Sequence, residues 1–187
     1  MLRITGGYLA GRTISSLPGE DTRPPLTRVR EAVANILNPY VEDAAVLDLF
    51  AGTGSFSFEL LSRGAKSAVL IDKNPKAVQV LRKNAAKLGV EHLVEIVKAD
   101  ALQMIAIFEK SGDLFDIIMV APPYFTGLDR ASMEKLASGA ILSPSGIVVL
   151  QQSRKERFNE AYGSLVLKKT YRYGDTRIST YVQGTEG

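Results

Sequence analysis

From residue 44 onward the chain repeats one unit: a short apolar run, a turn, then a segment with apolar residues at helical spacing. The pattern predicts strands at 44–49, 67–71, 93–98, 115–120 and 146–151, with helices at 54–63, 75–88, 101–110 and near 129–138. Strands joined through helices pair in parallel, and the helices cover both faces of the sheet. Two later runs, Leu165 to Tyr171 and Ile178 to Val182, flank Tyr173-Gly174-Asp175 and predict an antiparallel closing hairpin. The expected fold is therefore α/β, with a doubly wound, mostly parallel, seven-stranded sheet. Such a sheet offers its ligand site beyond the carboxyl ends of the strands, so the residues following each apolar run carry the functional question.

Phe50-Ala51-Gly52-Thr53-Gly54 follows the first run, and the second run ends on Asp72. Glycine lets the backbone approach a ligand closely, and a carboxylate about 20 residues further on can take both hydroxyls of a ribose. The third glycine of a dinucleotide fingerprint is absent, since Ser57 stands there, and no phosphate-binding loop of the G-x-x-x-x-G-K-[ST] type occurs. An adenosine ligand without phosphates suits S-adenosylmethionine. The same glycine pair also serves ordinary strand-to-helix turns.

The other strand tips extend this reading. Asp48 ends the first strand, where it can accept from a cofactor ammonium, directly or through water, or fix the loop by bonding to backbone amides. Asp72 has no basic partner on its own strand, and a bare carboxylate at a strand tip is solvated or bound to something. Asp100 ends the third strand; it can accept from an adenine amino group beside the Ala101 amide, or cap helix 101–110, and the two roles are compatible. After the fourth strand, Ala121-Pro122-Pro123-Tyr124 removes two backbone donors and leaves an acceptor surface with an aromatic plate. Acceptors there can orient an exocyclic amine toward a methyl donor and stabilise the charge developing on nitrogen, with Tyr124 stacked on an unstacked base. The alternative is a rigid turn with a packed tyrosine.

With 187 residues, 45% of them hydrophobic, one well-buried domain with an appendage is expected. No run of 18 apolar residues is present, and the first residues lack the apolar core of a signal peptide, so a soluble, cytoplasmic protein without membrane contact is expected. The absence of cysteine excludes disulfides, thiolate metal sites and chemistry through a cysteine adduct, and no metal is called for. His92, the single histidine, lies between a helix end and a strand start, away from the expected site, and reads as a solvated loop residue.

The first forty residues read as an annex to the core: a small hairpin from Leu2–Ile4 and Arg12–Ile14, an arginine-bearing loop around Arg23-Pro24-Pro25, and a helix from about Leu26 that Asn38-Pro39 stops. On that helix Arg30 is expected to project away from Val29 and Val33, toward solvent or a ligand. Residues 1–40 hold five arginines against three acids, residues 152–187 seven basic residues against four, and the stretch between is slightly acidic. Basic ends around an acidic centre suggest a polyanion partner such as nucleic acid, although an ordinary solvated surface explains an imbalance this small equally well.

In the order Asp48-Leu49-Phe50-Ala51-Gly52-Thr53-Gly54, Asp72, Asp100, Pro122-Pro123-Tyr124, the chain resembles class I S-adenosylmethionine-dependent methyltransferases that modify exocyclic amines. Arg3-Ile4-Thr5-Gly6-Gly7 with Gly11-Arg12, then Arg23-Pro24-Pro25, Thr27-Arg28-Val29-Arg30-Glu31 and Tyr173-Gly174-Asp175-Thr176-Arg177, narrow the resemblance to the bacterial 16S ribosomal RNA guanine-N2 methyltransferase family. It spans nearly the whole chain. The resemblance implies a cofactor site of Asp48, Phe50, Gly52, Thr53, Gly54, Asp72, Lys73, Asp100 and Ala101, and a catalytic turn of Ala121, Pro122, Pro123 and Tyr124. It implies RNA contacts from Arg12, Arg23, Arg28, Arg30 and Arg177, an RNA-contacting extension over 1–40 with the methyltransferase domain over 41–187, and a monomer acting on ribosomal RNA within a small-subunit particle. One position departs: Ala121 stands where the family pattern has Asp or Asn, which leaves the Pro122 carbonyl as the sole holder of the target amine. Losing one such hydrogen bond costs about 1–3 kcal/mol, roughly 5-fold to 150-fold in rate. A protein that binds cofactor and RNA with weakened or lost catalysis, and a methyltransferase for another substrate, are the alternatives this leaves open.

Overall fold

The structure is a computed structural model and describes residues 1–17 and 24–184. Two short strands, β1 (Leu2–Arg3) and β2 (Thr13–Ile14), pair antiparallel as the sequence leads one to expect. Helix α1 runs Pro24–Val41. It starts earlier than predicted because both prolines fall in the first turn, where the missing N–H would have had no partner in any case. It also runs past Pro39. The buried side chains of Leu37 and Val41 lie on one stripe of the helix and hold its last turn against the core, which outweighs the single backbone bond a proline removes.

The alternating unit then follows as predicted, within a few residues: β3 (Ala45–Asp48), α2 (Ser55–Ser62), β4 (Ser67–Asp72), α3 (Pro75–Leu88), β5 (Val94–Lys98), α4 (Ala101–Ser111), β6 (Phe115–Val120), α5 (Leu128–Ser138) and β7 (Leu142–Ser153). The boundaries have local causes. The Asn74 side chain accepts from the Lys76 amide at 3.0 Å and Pro75 takes the first helical position of α3. Gly89 ends that helix with φ of 71°, the left-handed cap that glycine adopts without strain. β7 begins four residues earlier than expected, since Ser143-Pro144-Ser145-Gly146 reads as a turn in isolation but Leu142 pairs with Phe115 on the neighbouring strand.

The sheet closes with β8 (Ala161–Tyr162), β9 (Leu165–Tyr173) and β10 (Thr176–Gln183). Its order is β5-β4-β3-β6-β7-β10-β9-β8, parallel from β5 through β7 and antiparallel beyond. The sheet therefore has eight strands, not seven; the two-residue β8 is too short to leave a periodic signal. The chain reverses direction across the sheet between β3 and β6, and this switch point is where an open α/β sheet leaves a crevice.

Strand pleating divides the core in two. Val46, Ile117 and Val149 point to one face, packed under α1, α2 and α3, while their neighbours Leu47, Ile118 and Val148 point to the other, under α4 and α5. Ile4, Leu9 and Ile14 of the amino-terminal segment are buried within the first of these clusters, as are Val29 and Val33. The described residues of the amino-terminal segment thus contribute side chains to the core layer.

A buried carboxylate fixes this segment in place. Glu59, on α2, accepts from the Thr5 amide at 2.9 Å, the Thr5 hydroxyl at 2.7 Å and the Gly6 amide at 2.8 Å. Its cationic partners are Arg63, at 3.0 Å, and Arg30, at 3.9 Å. Next to it, Gly7 has φ of 73° and lies so close to α2 that a Cβ there would meet the Ser62 carbonyl oxygen at 1.7 Å. No side chain fits at that position.

Candidate active site

The carboxyl tips of β3, β4, β5 and β6 open on one cleft of about 440 Å³. Leu49, Phe50 and Gly52 line it from the first loop, Asp72, Lys73, Asn74 and Ala77 from the second, Ala99, Asp100 and Ala101 from the third, and Ala121, Pro122 and Pro123 from the fourth; Leu17 and Leu128 complete the wall. The lining is mostly apolar, with two carboxylates and one ammonium at its edge, as a small-molecule site requires.

The two carboxylates are already oriented by the backbone. Asp72 accepts from the Gly52 amide at 2.9 Å through one oxygen and from the Asn74 amide at 2.8 Å through the other. It ties the glycine loop to the tip of β4 while keeping lone pairs available for a pair of hydroxyls. Asp100 uses one oxygen to cap α4, accepting from Leu102 at 2.9 Å and Gln103 at 3.2 Å, so the capping role holds and its second oxygen remains available.

Asp48 lies deeper, 1% exposed, beneath the glycine loop. One oxygen accepts from the Ser57 hydroxyl at 2.8 Å, and the Phe50 amide also donates to the carboxylate. The other oxygen, Oδ1, is buried with no partner among the described residues. Burial pushes this carboxyl up to about 6, against the hydrogen bonds from Ser57 and Phe50, and nearby Asp72 adds to the rise. An orphaned buried acceptor of this kind is fit for a cationic donor brought by a ligand.

The loop glycines differ in what requires them. At Gly54, with φ of 78°, a Cβ would lie 2.3 Å from the Phe58 ring, so packing alone demands glycine. At Gly52, with φ of 54°, a Cβ would meet nothing within 4 Å. Its extra atom would enter the cleft, in the space a ligand needs. Gly52→Ala should therefore leave a folded protein that has lost at least tenfold in affinity for S-adenosylmethionine by calorimetry, whereas Gly54→Ala should lower the melting temperature first.

Besides Asp48, three of the residues expected at the cleft are placed elsewhere. Thr53 is buried and turned away, its carbonyl held by the Asn84 amide nitrogen at 3.0 Å, and Gly54 packs against Phe58 and Leu81. Tyr124 follows the cleft wall without lining it. Its hydroxyl meets Thr176 Oγ1 at 3.0 Å and accepts from Gln151 Nε2 at 3.4 Å, so the closing hairpin fixes the ring by its distal end. The Thr126 hydroxyl takes the Pro123 carbonyl at 2.7 Å, while among the described residues no donor reaches the Pro122 carbonyl.

The arginines divide as well. Arg30 does not project to solvent: it is 3% exposed, faces Glu59 and donates to the Arg3 carbonyl at 2.5 Å. Desolvation lowers its pKa from the ordinary value, opposed by Glu59 and Glu31. Arg12 donates to the Leu88 carbonyl at 2.8 Å and to that of Lys87, satisfying the carboxyl end of α3. Arg177 is 9% exposed, donates to the Glu156 carbonyl at 2.8 Å and lies 4.7 Å from the Phe158 ring centre. Arg30 and Arg177 are buried, whereas Arg12 remains exposed while it makes these bonds. Arg28 is exposed on α1, and Arg23 lies outside the described residues. His92 is exposed in a single 3-10 turn before β5, at the opposite end of the strands from the cleft.

A parallel sheet with this order, a glycine loop after its central strand, acids at the next two tips and a Pro-Pro turn at the fourth together define a class I methyltransferase. Comparison with known proteins carries this to a family. The family model described as Conserved hypothetical protein 95 matches residues 2–182, and the chain belongs to that family. It is 33% identical over 150 residues to ribosomal RNA small subunit methyltransferase D of Escherichia coli strain K12, covering 80% of this chain and 74% of that one. The Bacillus subtilis protein YlbH is 29% identical over 180 residues, 96% of this chain and 98% of its own. Among solved structures, yhhF of Escherichia coli superposes with a TM-score of 0.87 at 29% identity and 99% coverage of both chains. The relatives named as ribosomal RNA methyltransferases make this chain an RNA methyltransferase.

Proposed function

We propose that this chain transfers the methyl group of S-adenosylmethionine to the exocyclic 2-amino group of a guanine in 16S ribosomal RNA. The observation that carries the reading is the convergence of Asp72, Asp100 and Pro122 on one cleft, in a chain whose relatives are named for that rRNA subunit. The cleft suits the cofactor by its own features. Asp72 is available to the ribose hydroxyls, Asp100 and the Ala101 amide to the adenine, and the unpartnered Asp48 Oδ1 to the ammonium group, while Phe50, Ala77 and Leu128 offer apolar walls.

Bound there, the cofactor supplies an electrophilic methyl on sulfur. The guanine amine is a weak nucleophile because its lone pair is delocalised into the ring. The Pro122 carbonyl accepts one of its hydrogens and aims the nitrogen, which stabilises the positive charge that grows as the carbon–nitrogen bond forms and the carbon–sulfur bond breaks. The proton is then released to solvent, so no general base is needed in the turn. Tyr124, anchored through its hydroxyl, offers a ring to the unstacked base.

Ala121 supplies no acceptor for the second amine hydrogen. Ala121→Asp is expected to raise kcat with KM for the cofactor unchanged, by roughly 5-fold to 150-fold for one hydrogen bond made in the transition state. An unchanged kcat would mean that the second acceptor comes from elsewhere.

The substrate partner is ribosomal RNA within a small-subunit particle, met by a monomer in the cytoplasm. Among the described residues no helix is long and apolar enough to cross a membrane, and no three acidic or histidine side chains gather into a metal site. The amino-terminal segment, anchored in the core through its apolar side chains, offers Arg28 and Arg23 as phosphate contacts. The deciding test offers cofactor labelled on the methyl group to small ribosomal subunits, naked ribosomal RNA, DNA and a small-molecule pool. Label in guanine of the small-subunit RNA is expected. Cofactor binding without transfer to any of them would favour a binding protein that Ala121 has disarmed.

A further inference from the structure

Beside the cleft, on the far side of the Pro-Pro-Tyr turn, a second groove of about 350 Å³ runs between the start of α5 and the segment joining β7 to β8. Phe125 forms its lip. The ring is 67% exposed and stands at 82° to that of Tyr124, with centroids 6.4 Å apart. Its backbone has φ of 61°, a left-handed conformation that a bulky side chain rarely adopts and that costs about 1–3 kcal/mol. An exposed aromatic ring in strained backbone contributes little to the fold, yet the fold holds it there: Glu156 Oε1 accepts from the Phe125 amide at 2.6 Å while its Oε2 accepts from the Ser153 amide at 2.7 Å.

The polar groups of the groove are sorted by charge. Both Glu156 oxygens are occupied by backbone amides, and Asp129 Oδ2 is occupied by Gln152 Nε2 at 2.6 Å. Arg130 pairs with Glu134 at 2.7 Å. Arg157 is exposed, and among the described residues nothing pairs with its guanidinium. An open aromatic face next to an available guanidinium is the combination that takes a base by stacking and its phosphate by charge.

We infer that this groove binds the nucleotide adjoining the methylated guanine, with its base stacked on Phe125 and its phosphate against Arg157. The inference rests on the proposed RNA substrate and adds a second contact point to it. A base that enters the cleft must leave its stack, and an exposed ring at the mouth gives the neighbour left behind a new stacking partner. The Glu156 bond to the Phe125 amide holds the backbone that carries the ring.

The test uses a short single-stranded RNA with 2-aminopurine on either side of a guanine, titrated with the full chain while fluorescence is read. Wild type should quench the probe on one side of the guanine. Phe125→Ala should abolish that quenching and raise KM for ribosomal RNA about 5-fold to 150-fold, the range of one base–aromatic stack. Phe125→Trp should restore both, and Arg157→Ala should weaken binding and flatten its salt dependence. Phe125→Gly separates this role from a structural one, since it relieves the left-handed strain: it should raise the melting temperature while binding RNA as poorly as the alanine variant. Quenching and KM that survive in Phe125→Ala would overturn the inference while leaving methyl transfer by wild type intact. If wild type transferred no label to any RNA, the functional reading would fall, and the fluorescence titration would still decide whether Phe125 stacks on a base.

Discussion

Replacing Glu59 with alanine is expected to cost about 3–5 kcal/mol of folding stability, the range for removing one partner of a buried ion pair. Three losses combine there. Arg30, 3% exposed, keeps its charge but loses the carboxylate facing it, and its Nε already lacks a hydrogen-bond acceptor. The amides of Thr5 and Gly6 lose their acceptor where water has poor access, at about 1–3 kcal/mol for each buried donor left bare. Arg63, closer to the surface, can turn outward to the side chains of Asn35 and Asn38, which it already reaches, and contributes least. Urea denaturation should show the loss as a lower midpoint with an unchanged slope. Glu59→Gln, which keeps the shape and one acceptor oxygen, should fall between wild type and alanine. Pairing Glu59→Leu with Arg30→Met should recover only the ionic part, because the Thr5 and Gly6 amides remain unpaired. Full recovery in the double variant would mean that the backbone contacts contribute nothing. A functional effect follows from the same anchor: Leu17 lines the cleft at the end of this segment, and Ser15 is tied to Asn84, which also holds the Thr53 carbonyl. Loosening the segment should therefore weaken cofactor binding without touching any residue beneath it.

The sequence made some of this visible and hid the rest for identifiable reasons. Asp100, Asn74 and Gly89 were legible because each acts within a few residues of its own position, and Asp72 because it ends a strand, where the pattern of apolar runs places it. The parallel sheet was legible from alternation, and its switch point then required the tips to share a cleft. Glu59, Asn84 and Arg30 were not legible because their partners lie 54, 69 and 27 residues away. Arg30 misled for a definite reason. The buried face of α1 is wide enough to include it with Val29, Val33, Ala34 and Leu37, and charge argues for solvent only until a partner is known. One signal did point the right way: Glu59 sits among Phe58, Leu60 and Leu61 on a helix whose surroundings are buried, and a lone acid in such a stretch calls for a cation. Arg12 and Arg177 hold a further hidden role. Their guanidinium groups satisfy backbone carbonyls, a role that leaves no trace in spacing.

Asp48→Asn should make the protein more stable and less able to bind its cofactor. In the folded chain without ligand, ionised Asp48 is desolvated and one of its oxygens is orphaned, which pushes its pKa from 3.8 up to about 6. At roughly 1.4 kcal/mol per unit, the ionised form is disfavoured in the fold by about 3 kcal/mol relative to the unfolded chain. The sign follows from the direction of the shift. Because the folded pKa is the higher one, the folded state binds this proton more tightly, and the associated stability is fully present below about 4 and lost as pH rises through about 6. Asparagine keeps an acceptor for Ser57 and carries no charge, so the variant should exceed wild type in melting temperature at pH 8, with the gap closing as pH falls toward 4. Cofactor binding should run the other way. A carboxylate that faces an ammonium group must be ionised to pair with it, so the affinity of wild type for S-adenosylmethionine should decline as pH drops below about 6, while the variant binds weakly and shows no such decline. Calorimetric titrations at pH 5.5 and 8 distinguish the cases. If the variant proved both less stable and equally tight in binding, Asp48 would be a structural bracket for the glycine loop through Ser57 and the Phe50 amide, and the buried charge would need no ligand to explain it.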